Sequence, residues 1–174
     1  ADVHDKATRS YNMSQIKGKD TKPEMLVRKF LHANGYRYRL HTKDLPGKPD
    51  IVLPKYRTVI FINGCFWHGH EGCKYFTIPK TKTEWWTNKI NTNIANDKKA
   101  IEALSTDGWK IITIWTCELK PNKLENTLAS LISTFNSYSL LHKFTYIRLT
   151  YSRNSGKLHE WIFVQRLALV FGSY

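Results

Sequence analysis

Within the stretch Cys65-Phe66-Trp67-His68-Gly69-His70-Glu71-Gly72-Cys73 the chain gathers two thiols, two imidazoles and two large aromatic rings. Thiolate and imidazole are the donors zinc selects, and a structural zinc site needs four of them in a tetrahedron. A third thiol stands far along the chain, so Cys65, His70, Cys73 and Cys117 are expected to close one zinc site. Any one of these cysteines alone would more often be an ordinary buried thiol. The spacing Cys65-x4-His70-x2-Cys73 favours ligation, and an odd count of three cysteines argues against a disulfide framework. Two acids are the other chemical candidates: Asp50, at the mouth of an apolar segment, and Asp97, on the apolar stripe of a long helix. A buried carboxylate costs free energy unless something pairs with it, so two aimed at one interior point to a metal or catalytic pair.

Positioning these groups requires particular elements. Val59-Ile60-Phe61-Ile62, stopped by Asn63-Gly64, reads as a central strand buried on both faces. The run Ile111 to Trp115 reads as another strand, and pairing of the two would bring Cys117 beside the Cys65 loop. Asp50 to Leu53 is a short strand ended by Pro54, close enough to Arg57–Ile62 for a hairpin through Pro54-Lys55-Tyr56. Tyr36 to Leu40 alternates apolar and charged residues, which predicts a further, half-exposed strand.

Thr21-Lys22-Pro23-Glu24 has the form of a capping box, opening a helix with Leu26, Val27, Phe30 and Leu31 on one face and Gly35 at its end. Helical spacing of Trp86, Ile90, Ile94, Ile101 and Leu104 predicts a long helix from about Thr83 to Leu104. A shorter one follows Pro121. The order of helix, three strands, helix, strand, helix defines an α/β domain over residues 1–135, which includes the polar, basic N-terminal arm Ala1 to Lys22. Residues 136–174 differ in character, and Phe144–Tyr151 with Leu158–Val164 reads as a hairpin about Asn154-Ser155-Gly156.

Lys and Arg total 27 against 14 acids, a formal net charge of +13, with 13% aromatic residues and six Trp. So basic and aromatic a chain calls for a polyanion whose bases can stack, which favours nucleic acid over an anionic membrane surface. The longest suspicious apolar stretch, Trp161 to Phe171, is interrupted by Gln165 and Arg166, so a soluble cytoplasmic protein is expected.

Pro49-Asp50 at a strand start, a second buried strand ending near Asn63 and a following helix form the pattern of restriction-endonuclease-like nucleases, a mixed central sheet flanked by helices. With Thr8-Arg9-Ser10, Asn12-Met13, Pro46-Gly-Lys-Pro-Asp50, Asn63-Gly-Cys-Phe-Trp-His68-Gly-His70, Thr83-Glu84, Trp86, Asp97 and Trp115-Thr-Cys117, the chain closely resembles the Vsr, or very short patch repair, DNA mismatch endonucleases from about Asp2 to Ile132. The resemblance implies a magnesium-dependent enzyme that nicks double-stranded DNA 5′ to the T of a T:G mismatch left by deamination of 5-methylcytosine. It implies magnesium on Asp50 and the backbone carbonyl of Ile62, His68 as general base with Asp97 linked to it, and Phe66, Trp67 and Trp86 as a wedge into the base stack. Asn63 stands where the family often carries histidine, and the interval between His70 and Cys73 is longer than the tighter spacing known there.

Lys89 and Asn93, one helical turn apart and off the apolar stripe, are the expected contacts to the mismatched bases, with Arg9, Asn12 and Met13 of the arm also on DNA. A monomer is expected, with other mismatch-repair proteins as further partners and the nucleoid as its place when bound. The competing readings are a non-catalytic zinc-stabilised DNA-binding module and a restriction-type nuclease of the same fold. The module leaves Asp50 and Asp97 without a role.

Overall fold

Because Val59 and Ile60 are wholly apolar and sit between the turn at Pro54–Tyr56 and the break at Asn63-Gly64, the chain can bury them only by pairing on both sides. A computed structural model of the chain shows that pairing; it describes residues 5–15, 18–40 and 42–135. The elements are α1 (Lys6–Ser14), α2 (Lys22–Ala33), β1 (Ile51–Leu53), β2 (Thr58–Asn63), α3 (Thr83–Thr106), β3 (Lys110–Trp115) and α4, at 121–135. The hairpin of 144–164 lies outside the described residues.

β2 is the middle of a three-stranded mixed sheet. β1 runs antiparallel to it, Ile51 opposite Ile60, and β3 runs parallel, Val59 opposite Ile111 and Asn63 opposite Trp115. The parallel register carries the segments after β2 and β3 out of the same edge of the sheet, which is what brings Cys65 and Cys117 together. The short turn that joins β1 to β2 is 3₁₀, with Arg57 left-handed at its end (φ 46°). β2 is fully buried over Thr58 to Ile60 but only partly over Phe61 to Asn63. Its covered half supports the fold and its opening half presents the site.

One predicted strand is reduced to a bridge. Arg39 pairs with Val52 through two backbone hydrogen bonds (2.8 and 2.9 Å), and among the described residues Tyr36–Leu40 forms no other ladder. Tyr36 is instead drawn under the sheet, where its ring packs against Phe135 (4.8 Å between centroids) and Tyr56 (5.3 Å), so aromatic packing replaces the strand pairing that alternation suggested.

The N-cap forms, with Thr21 Oγ1 accepting from the Glu24 backbone N–H (3.5 Å), but the Glu24 carboxylate reaches one residue further back than in a capping box. Thr21 Oγ1 donates to Glu24 Oε1 (2.8 Å), and Glu24 Oε2 accepts from the Asp20 backbone N–H (3.0 Å) and Arg28 Nη2 (2.8 Å). The arm, read from sequence as a polar tail, contains helix α1, capped by Asp5, whose side chain accepts from the Thr8 N–H (2.6 Å). Its small apolar face is outward: Tyr11 and Met13 are exposed. In α3 the predicted stripe is partly displaced, because Ile90, Ala100 and Leu104 are buried whereas Ile94 and Ile101 are exposed. A 24-residue helix lying on a short sheet cannot keep one whole face covered.

Candidate functional site

The site is built where the open end of β2 meets the loop 64–76 and the middle of α3. Asp50, immediately before β1, turns its carboxylate across the sheet edge, and Oδ2 accepts from the Ile62 backbone N–H at 2.7 Å. Burial raises the Asp50 carboxyl above its ordinary value despite that bond; Glu24 raises it further, and Arg28 and His68 pull it down. Glu24, read from the sequence only as a capping residue, and Arg28, which the sequence reading did not single out, are buried charged groups within the field of Asp50. The capping-box pattern explained Glu24 locally and hid this second role.

After Asn63 the chain turns tightly. His68 N–H donates to Gly64 O (3.1 Å), His70 N–H to Cys65 O (2.9 Å) and Cys73 N–H to His70 O (3.2 Å). Gly69 is left-handed (φ +63°), and a Cβ there would lie 2.6 Å from Ile94 Cδ1 and 3.2 Å from Ile90 Cγ2. The loop thus rides directly on α3. Ile94 is exposed enough to swing away, so Gly69→Ala is expected to cost chiefly the left-handed backbone penalty, about 1–2 kcal/mol. Thermal unfolding of the two proteins measures it.

This seating aims His68 at α3: His68 Nδ1 lies 2.6 Å from Asp97 Oδ2. A neutral imidazole beside an ionised carboxylate places its proton on Nδ1, which leaves Nε2 as an acceptor. Asn63 shares a small crevice with Asp97, Phe61 and Thr113. Asp50, His68, Asp97 and Asn63 therefore cluster around the end of β2. Ile62 belongs to the same cluster through its amide.

On the other side of the loop, the ligand atoms of Cys65, His70, Cys73 and Cys117 all lie within 4.8 Å of one another, an arrangement that can hold a metal ion. The His70 ring is stacked on Trp115 (4.0 Å between centroids, 6° between planes), with Nδ1 3.5 Å from Cys117 Sγ. Thr116 Oγ1 accepts from the Cys65 N–H (3.4 Å) and lies 3.5 Å from its Sγ. Burial alone would raise the Cys65 thiol, but hydrogen bonds from Thr116, His70 and Cys117 outweigh it and bring it to about 6. Burial, together with the neighbouring Cys65 and Cys73 sulfurs, pushes Cys117 up to about 12. The cluster crowds more thiolate charge together than it can carry alone, and a bound cation would relieve that repulsion.

Phe66, Trp67 and Trp86 form one aromatic group, with ring centroids 5.2 to 5.9 Å apart and every ring partly exposed. Trp85, which the helical pattern did not single out, extends it at 4.7 Å from Trp86 and is 57% exposed. Lys89 is exposed on α3, whereas Asn93 Nδ2 donates to the Trp67 carbonyl at 2.9 Å. Asn12 and Met13 are exposed on α1, the helix that also contains Arg9.

A carboxylate, an imidazole–carboxylate pair and a thiol–imidazole cluster that can hold a metal ion are set on one edge of a mixed sheet in a strongly basic α/β protein. Residues 1–74 match the family described as DNA mismatch endonuclease Vsr. The chain is 50% identical over 111 residues to the Type II nicking enzyme V.XorIIP of Xanthomonas oryzae pv. oryzae, covering 64% of this chain and 81% of that one. It is 45% identical over 120 residues to the DNA mismatch endonuclease Vsr of Escherichia coli K12, covering 69% and 76%. A further relative, the Type II nicking enzyme V.NmeAIP of Neisseria meningitidis, is 50% identical over 119 residues, covering 68% and 84%. The chain belongs to the Vsr family of DNA mismatch endonucleases. Among the described residues, no helix is long and apolar enough to cross a membrane.

Proposed function

We propose that this protein nicks one strand of double-stranded DNA 5′ to the T of a T:G mismatch, by magnesium-dependent phosphodiester hydrolysis in very short patch repair, on a restriction-endonuclease-like core. The observation that supports it most is the His68–Asp97 pair, 2.6 Å long, at the same strand end as the half-buried Asp50. Asp97 holds the His68 ring so that Nε2 can take a proton from the attacking water. A binding-only module gains nothing from such a pair.

The residues fit a hard cation at Asp50. Its carboxylate is half-buried, its charge is disfavoured by that partial burial, and magnesium takes carboxylate and carbonyl oxygen. Asp50 and the Ile62 carbonyl would hold it, and when bound it supplies electrophilic stabilisation of charge building on the phosphate. Asp50 itself is kept in place by the Ile62 N–H, and Asn63 is available to donate to a phosphate oxygen. The Cys65, His70, Cys73 and Cys117 donor set fits zinc, and four protein ligands make its role structural, since they fix the loop from which His68 and the aromatic group project.

Phe66, Trp67 and Trp86 are the wedge. Opening a base step costs a few kcal/mol and less where pairing is already imperfect, so insertion selects T:G over T:A by deformability. Lys89 reaches the bases, and the α1 residues Arg9, Asn12 and Met13 contact the duplex beside them. The test is strand-specific nicking of an oligonucleotide carrying T:G against its T:A control, with magnesium. Wild-type protein should cut only the first. Trp67→Ala is expected to keep its fold and zinc, lose most T:G nicking and narrow the preference over T:A. Equal cutting of both duplexes by the wild type would overturn the mismatch reading; a collapsed melting transition in Trp67→Ala would return that ring to the core.

A further inference from the structure

Beside the metal cluster, the loop 64–76, the start of α2 and the segment after β3 surround a cleft of about 410 Å³. Its lining includes Phe66, Trp67, Tyr75, Leu119, Lys22 and Lys120, and none of the residues that line it is an acid. A volume of this size is within the range of about 300–1,000 Å³ common to sites that take a ligand.

Tyr75 gathers positive charge at this cleft. It is 48% exposed, and two ammonium groups lie over its ring, Lys74 Nζ at 5.3 Å and Lys120 Nζ at 5.6 Å from the centroid. The ring attracts each cation, but the two cations repel one another, and an anion between them is attracted by both. Lys22 adds a third positive charge to the same lining. Among the described residues, none of these three lysines is in an ion pair. Lys74 follows the ligand Cys73 directly and Lys120 stands three residues after Cys117, so the cluster sets the places of both.

The cleft therefore suits an anion that lies against an aromatic wall. Phe66 and Trp67 belong both to the aromatic group and to the cleft lining, so a duplex that the rings enter passes the lysines. We infer that Lys22, Lys74, Lys120 and Tyr75 form a phosphate-binding wall for the DNA backbone next to the wedge, on the metal-cluster side of the loop. The inference rests on the DNA reading proposed above and adds a contact surface to it. Contacts of this kind fix the register of the duplex on the protein and read no base.

The test is a salt titration of the full chain by fluorescence anisotropy, in calcium, with a labelled T:G duplex and with its T:A control. Loss of a phosphate contact that releases one counterion makes the log–log slope about 0.9 less steep. Lys22→Gln and Lys120→Gln should each flatten the slope by about that much, and the double variant by about twice as much, weakening both duplexes by the same factor. Tyr75→Leu keeps every lysine and so keeps the slope, but should weaken both duplexes about two- to fivefold, because the ammonium groups lose the ring that gathers them. Lys55 is exposed on the turn at the opposite end of β2, and Lys55→Gln should change neither slope nor affinity. All the replaced side chains are exposed, so melting transition and zinc content should match the wild type throughout. A slope unchanged in the double variant overturns the inference, as does a loss no larger than that of Lys55→Gln. So does a loss confined to T:G, the signature of a base reader. Unchanged DNA binding with capture of a labelled poly-glutamate peptide that Lys120→Gln releases would assign the cleft to an acidic protein partner and overturn it equally. Wild-type protein that binds duplex but nicks neither would end the nicking reading alone, because the wall is read from binding.

Discussion

Asp50→Asn is expected to abolish nicking and, at the same time, to make the protein more stable. The first effect follows from its place: its carboxylate is the one acid that the Ile62 amide holds at the opening end of β2, and the amide of Asn carries no charge for a cation. Loss of a catalytic acid or base costs about 10² to 10⁴-fold, and loss of the carboxylate that holds the metal should reach at least the upper end. The second effect follows from burial, which raises the Asp50 carboxyl. A carboxyl raised in the folded state binds more protons folded than unfolded between the two values. The slope of unfolding free energy with pH is therefore negative there. Stability from this group is lost as pH rises from the unfolded carboxylate value through the raised folded one. Above the raised folded value the folded protein carries the cost, and Asn, which can still accept from the Ile62 N–H, removes it. The expected readout is a melting temperature above that of the wild type when the carboxyl is ionised.

DNA binding supplies the control for this variant. Removing a negative charge beside the phosphate path should leave the Kd for T:G duplex unchanged or lower. Melting in the absence of divalent metal, run beside single-turnover nicking in magnesium, checks both halves. Wild-type cutting by Asp50→Asn would remove Asp50 from the site, and a lower melting temperature would show that the half-buried charge is compensated in the folded state.

What the sequence made legible follows from the range of each interaction. Capping at Thr21 and Glu24, the turn at Pro54–Tyr56 and the long reach of α3 depend on neighbours within a few positions, and the pattern showed them. The convergence of Cys117 on Cys65 was also legible, since two apolar runs each ending just before a thiol leave few ways to pair. Tyr36 to Leu40 misled because alternation records which residues alternate in polarity, and Tyr36 is buried by Phe135, ninety-nine positions away, instead of by a strand. Ile94 and Ile101 misled for a related reason: helical spacing gives the direction of a face without giving the length of the surface beneath it.

The parts of the site that stayed hidden are those built on backbone. Nothing in the residue types says that Asn93 will spend its amide on the Trp67 carbonyl, or that Asp50 will take the Ile62 N–H. Glu24 and Arg28 were hidden differently, by a local pattern that already accounted for the first of them. Their burial becomes visible only when α2 is laid against the element that carries Asp50.

Removal of the metal cluster is the other change expected to act on everything at once. Residues 64–76 contain no regular helix or strand, and their order rests on a few turn hydrogen bonds and on four ligands that converge from two segments. Cys117 is the ligand from the second segment. It stands two residues beyond β3, so a metal held there would cross-link the ends of the parallel pair β2 and β3. Cys117→Ser replaces a soft sulfur by a hard oxygen of low zinc affinity and should release the ion, because binding energy at such a site is folding energy. Without it, Cys65 and Cys73 have no cation to balance their charge, and the loop loses the anchor that presents His68 to Asp97. Elemental analysis should find one zinc per wild-type chain and well under half of that in Cys117→Ser. The variant should melt lower, lose nicking and expose the Trp67–Trp86 group to quenchers of tryptophan fluorescence, while β1, β2 and α3 keep their far-ultraviolet signal at low temperature. A chelator applied to the wild type should reproduce each change, and added zinc should reverse it. Full zinc content in Cys117→Ser, or a zinc-free wild type that nicks normally, would mean that the four ligand atoms within 4.8 Å of one another owe their closeness to packing alone.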